Sequence, residues 1–119
     1  MQPICEVTIT APDAGWLAEF TRKLVEERLA ACGHNLTEIR SIYRWDGQVH
    51  DQPEARVMLH TRESLVPEII ELTRQEHPYE VPCVLAATIA QANPDYHTWV
   101  LTETKDPSLR NPLWPNDLL

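Results

Sequence analysis

Glycine is scarce: the 119-residue chain has three, Gly15, Gly33 and Gly47. No phosphate-cradling glycine loop can be built from them, and no G-x-S-x-G elbow is present. Cysteine is limited to Cys5, Cys32 and Cys83, odd in number, far apart and without a C-x-x-C pair. That excludes a disulfide framework and points to a reducing compartment. Positive charge is short, with 10 Lys and Arg against 18 Asp and Glu and a formal charge of −8. A chain so acidic lacks the cationic footprint that nucleic-acid backbones require. No apolar run approaches the roughly 18 residues of a membrane helix. The stretch Met1–Glu6 has neither the basic nor the apolar region of an export signal. A single cytoplasmic domain with no nucleic-acid or membrane partner is the expectation.

What is present is ordered by periodicity. Ile4 to Thr10 alternates, with Cys5, Val7 and Ile9 on one side, which predicts a strand. Asp13 is placed to cap a helix whose apolar residues Leu17, Phe20, Leu24, Val25 and Leu29 recur at helical spacing as far as Cys32. Gly33 stands where a left-handed cap would end that helix. Ile39 to Trp45 predicts a second strand, and Asp46-Gly47 is a strong hairpin signal. Gln48 to Glu54 is polar and holds Pro53, so irregular pairing is expected before a third strand over Ala55 to Thr61. Ser64 is placed to cap a second helix with Pro67 in its first turn, ending at His77-Pro78. Cys83 to Ala90 predicts a fourth strand, and Pro94-Asp95 opens a last helix with Tyr96, Trp99 and Val100.

This order suits a ferredoxin-like α+β sandwich (βαββαβ) with a C-terminal helix, over residues 1–105. Residues 106–119 form a proline-rich tail expected to contact the domain through Leu113 and Trp114, if at all. Cys5, Val7, Ile9, Tyr43, Trp45, Val57 and Leu59 are too many to hide under two helices. Ile4, Ile42 and Met58 occupy the reverse sides. Strands apolar on both sides imply a covered second face, hence an oligomer.

The stretch Glu76-His77-Pro78-Tyr79-Glu80-Val81-Pro82-Cys83 gathers an imidazole, a phenol, a carboxylate and a thiol between two prolines. Proline biases the preceding residue toward extended backbone, so the segment is stiff and its polar groups keep fixed directions. It is either a binding loop or only an awkward helix-to-strand connection. The histidines His34, His50, His60, His77 and His97 show no i, i+2 or i, i+4 pair on one predicted element, so a closed four-ligand site is not legible. His60, His77 and Cys83 remain able to converge in space, a donor set that favours copper or zinc over magnesium. Cys32 reads by itself as a small buried hydrophobe. Cys83 beside a histidine is the one nucleophile candidate, and nothing in the sequence supplies its oriented base, so no enzyme is expected.

Four strings carry a resemblance to a known family. They are Glu27-Arg28-Leu29-Ala30-Ala31-Cys32, Ser41-Ile42-Tyr43-Arg44-Trp45-Asp46-Gly47, His77-Pro78-Tyr79-Glu80-Val81-Pro82, and Asp95-Tyr96-x-x-Trp99. In this order they resemble the CutA divalent-cation tolerance proteins over most of the chain, to about Thr104. The resemblance implies a ferredoxin-like protomer in a tight homotrimer of PII-like architecture, cytoplasmic location and divalent metal binding, copper most often named. It implies His77 and Cys32 as the surviving metal ligands, and with the other family donors replaced the expected metal binding is weak or indirect and centred on His77. The chain departs from the family pattern at Ile9, Glu76 and Cys83, where other donors are common, and at His60, where a lysine is common. A second function fits the same architecture: a trimer that binds a small ligand or anchors a protein, with no metal role. Its intersubunit clefts would be lined by Tyr43, Trp45, His60, Tyr79 and Cys83, with His77 beside them.

Overall fold

The computed structural model describes residues 1–109, so Leu113 and Trp114 lie outside the described residues. The elements are β1 (Ile4–Ala11), α1 (Ala14–Glu26), β2 (Cys32–Trp45), β3 (Gln48–Arg62), α2 (Val66–Glu76), β4 (Val84–Thr88) and α3 (Pro94–Glu103). The sheet order is β2-β3-β1-β4, antiparallel throughout. This is the ferredoxin-like α+β arrangement, with the first strand at the centre. Among the described residues, no helix is long and apolar enough to cross a membrane.

Asp13 caps α1 as expected, its Oδ1 accepting from the Gly15 N–H at 3.0 Å. The helix stops earlier than the apolar spacing predicts. Arg28 takes the left-handed conformation at φ 62, and the N–H groups of Leu29 and Ala30 turn back to the Leu24 carbonyl. Contacts from the far end of the chain favour that turn. The Arg28 guanidinium donates to the Thr102 carbonyl at 2.8 Å, and the Arg28 carbonyl accepts from the Lys105 N–H at 2.9 Å. Gly33 is therefore no helix cap. It lies in β2, where a Cβ would sit 2.5 Å from Thr21 Cγ2 and 3.0 Å from Leu59 Cδ2, so glycine allows β2 and α1 to approach closely. Ser64 does not cap α2 either. It falls in a short turn of 3-10 helix, Glu63–Leu65, while Pro67 occupies the first turn of α2 as predicted.

Both middle strands begin earlier than the sequence suggests, and together they outreach the sheet. β3 pairs with β1 from Arg62 to Ala55, but with β2 all the way to Gln48. Residues 39–45 and 48–54 thus form a two-stranded ribbon beyond the end of β1. Polar cross-strand pairs hold it where apolar alternation fails. Arg40 grips Asp51 with two bonds of 2.8 and 2.6 Å, Tyr43 stacks on His50, and the Tyr43 hydroxyl donates to Gln52 at 3.1 Å.

Odd-numbered residues of β1 face α1 and α2. Cys5, Val7, Ile9, Val57 and Leu59 are fully buried there, with Leu17, Phe20, Leu24, Leu65 and Ile69 opposite them. Two helices cover these five residues but not all seven, in line with the expectation. Tyr43 and Trp45 stay outside, on the ribbon. On the reverse face α3 covers one end, burying Ile4, Ala31 and Val100, while Leu36 and Leu85 remain exposed there and Ile42 and Val49 are exposed on the ribbon.

Candidate functional site

The candidate residues divide between two places. At the ribbon side, a cleft of about 600 Å³ is lined by Tyr43, Trp45, Glu54, Tyr79, Val81 and Cys83, among others. Four of the five residues expected to line a ligand cleft therefore meet, and His60 does not. The Tyr79 hydroxyl donates to Glu54 at 2.7 Å, and burial, then the Glu54 carboxylate, push its ionisation well above that of free tyrosine.

His77 sits behind this cleft, 8% exposed, with both ring nitrogens committed to backbone. Nδ1 accepts from the Tyr79 N–H at 2.9 Å, so Nε2 carries the proton and donates to the Thr10 carbonyl at 2.7 Å. Its ring meets Trp16 edge-on at 5.1 Å between centroids. The extended backbone at His77, ψ 142, follows from Pro78, which disfavours the α region in the preceding residue. These bonds make His77 the clamp between the end of β1 and the loop after α2. Metal ligation there requires one of them to break.

The second place is the reverse face of the sheet, near α3. Cys32 opens β2 directly across from His60 on β3, and the alternation of the strand puts His34 on the same face. The Cys32 Sγ, His34 and His60 ligand atoms lie within 4.8 Å of one another, with Sγ 3.6 Å from His60 Nδ1. Glu6, opposite His60 on the other flank, accepts from His60 Nε2 at 2.9 Å. The Tyr96 hydroxyl, from α3, stands 2.5 Å from His60 Nδ1 and 3.3 Å from Cys32 Sγ. Burial first, then the Cys32 hydrogen bond and nearby negative charge, hold this phenol in its neutral form.

The expected convergence of His60, His77 and Cys83 is not found, nor is a site shared by His77 and Cys32. His34 was missed. Its signal was available: Cys32-Gly33-His34 is an i, i+2 pair on a strand, hidden when the helix is extended to Cys32. The donor set suits a cation. A thiol and two imidazoles are soft to borderline ligands for copper or zinc. A carboxylate on the remote nitrogen of a histidine is the partner that orients metal-binding imidazoles. Read as a nucleophile, Cys32 is poorly served, because the lone pair of His60 Nδ1 faces the nearer Tyr96 hydroxyl.

Comparison with known proteins agrees with the fold. Residues 5–103 match the family described as CutA1 divalent ion tolerance protein. The mouse protein CutA is 41% identical over 100 residues, 84% of this chain and 56% of that protein. The chain thus spans about half the length of that relative. The divalent-cation tolerance protein CutA of Pyrococcus horikoshii is 37% identical over 99 residues, 83% of this chain and 96% of that one. The crystal structure of CutA1 from Oryza sativa superposes with a TM-score of 0.85 at 31% identity, covering 88% of this chain and 96% of that chain.

Proposed function

We propose that this chain, which belongs to the CutA1 divalent ion tolerance family, is a divalent-cation-binding homotrimer of the cytoplasm and not an enzyme. The observation that carries the cation reading is the meeting of Cys32, His34 and His60 on one face of the sheet. These residues fit a thiophilic ion, copper or zinc, and would hold it as ligands with Glu6 steadying His60. His77 serves the fold in this reading. Calorimetric titration of the purified, reduced protein with zinc and with copper tests it. Saturable binding at one ion per protomer is expected, and no heat with either ion would overturn it.

Assembly is supported by the apolar side chains left outside the protomer. Ile42 and Val49 are 64% and 63% exposed on the ribbon, Leu85 is 65% exposed on the edge strand β4, and Trp45 is 48% exposed. Trp45→Ala should weaken the trimer, read as smaller species by light scattering; an unchanged mass would remove Trp45 from the interface. The three free thiols support a reducing compartment. The cleft of Tyr43, Trp45, Tyr79 and Cys83 favours a second reading, a PII-like trimer that takes a small ligand or anchors a protein.

A further inference from the structure

Resting on the cation-binding reading, we infer that Tyr96 is the gate of the Cys32–His34–His60 site: its hydroxyl occupies the place between His60 and Cys32 that a bound cation requires. The argument starts at His60. Its Nε2 lies 2.9 Å from the Glu6 carboxylate, so that nitrogen carries the proton and Nδ1 presents the lone pair. That lone pair is already used, because the Tyr96 O–H donates to it at 2.5 Å. A zinc–imidazole bond of about 2.0 Å needs the same lone pair, and a zinc–thiolate bond of about 2.3 Å draws on the Sγ that lies 3.3 Å from the same hydroxyl. Tyr96 and a cation therefore cannot both hold His60 Nδ1.

For a cation to take that lone pair, the Tyr96 hydroxyl has to leave it. Its route out is through the helix that carries it. Tyr96 lies on α3 beside Ile4, Ala31 and Val100, tilted against the partly exposed Trp99 at 5.5 Å between centroids. The ties of α3 concentrate at its C-terminal end, where Val100 is buried, Arg62 bonds Leu101 and Thr104 and Arg28 bonds the Thr102 carbonyl, while nearer Tyr96 His97 bonds the Gln2 carbonyl. With Tyr96 withdrawn, a divalent cation would be met by one negative charge from Cys32 bound as thiolate, its proton passing to solvent, and by a second from Glu6, which holds the N–H of His60 Nε2. The gate makes cation affinity depend on how firmly α3 is seated.

Tyr96→Phe keeps the ring and removes only the plug. With zinc alone as the probe, the variant should bind about tenfold tighter than the parent, the worth of one hydrogen bond no longer broken on entry. In the parent protein, zinc should also perturb the tyrosine ultraviolet spectrum as the phenol loses its acceptor, a signal absent in Tyr96→Phe. Equal or weaker zinc binding by Tyr96→Phe would overturn the gate, weaker binding showing that the phenol is itself a ligand. An unperturbed tyrosine spectrum in the saturated parent would overturn it too, whether or not the variant folds. Failure of the parent to bind zinc or copper at all would instead sink the cation reading on which the gate rests.

Discussion

Replacing His77 by alanine separates a structural histidine from a metal-ligating one. The ring is nearly sealed, donates to the Thr10 carbonyl and accepts from the Tyr79 N–H. Truncation leaves both backbone groups without that partner, each costing about 1–3 kcal/mol if water does not reach it. The edge-on contact with Trp16 adds about 0.5–1.5 kcal/mol. Water entering from the cleft side, where Thr10 and Tyr79 are both exposed to the opening, offsets part of this. The expected net loss is about 3 kcal/mol per protomer, at the upper end of what single substitutions do. Urea unfolding at fixed protomer concentration reads it as a lower midpoint at unchanged slope. Zinc calorimetry on the same sample, below the unfolding range, should give the parent's heat. A variant with the parent's midpoint and no zinc heat would refute the reasoning, because His77 would then be a ligand and not a clamp.

Gly33→Ala should destabilise by about 1–3 kcal/mol, since the new methyl meets Thr21 and Leu59 at contact distances too short to keep; an unchanged thermal midpoint would show that β2 moves away freely. Tyr79→Phe strands the Glu54 oxygen that Tyr79 bonds and should remove a tyrosine that titrates late in an alkaline absorbance scan; a scan identical to the parent's would disprove the assignment. Burial, with the Glu63 charge second, pushes the Cys5 thiol up to about 11. Folding therefore favours the protonated thiol, a contribution complete below pH 9 and lost as pH rises through about 11. Cys5→Ala should flatten that part of the alkaline loss in urea midpoints, and an equally steep loss would place its cause elsewhere.

Much of the fold is legible because local signals agree with it. Asp13, Asp46-Gly47, Pro67 and His77-Pro78 mark boundaries by backbone chemistry that needs no tertiary partner, and each lies where expected. The errors over the end of α1 and the start of β2 share one cause. The end of α1 is fixed by Arg28 bonds to Thr102 and Lys105, residues that no local window contains. Extending the helix to Cys32 then concealed the start of β2 and, with it, the register that places His34 and Cys32 against His60. The regular pairing of residues 48–54 with β2 is not legible, because its stabilising pairs, such as Arg40 with Asp51, are polar and invisible to hydrophobic periodicity. Tyr43, Trp45, Tyr79 and Cys83 flank rigid segments, and their meeting in one cleft is legible for that reason. The bonds of His77 are hidden for a related reason: a histidine before proline looks available until the two backbone groups that occupy it are seen.

The central position of β1 sets an order on synthesis. That strand leaves the ribosome first, yet its neighbours are β3, ending at Arg62, and β4, ending at Thr88. The β2–β3 hairpin, closed by Asp46-Gly47, can zip while the N-terminal strand still waits for its first partner. A nascent chain arrested before Arg62 has emerged presents β1 with both edges bare, and one arrested between Arg62 and Thr88 still leaves one edge open to chaperone capture or mispairing between neighbouring chains.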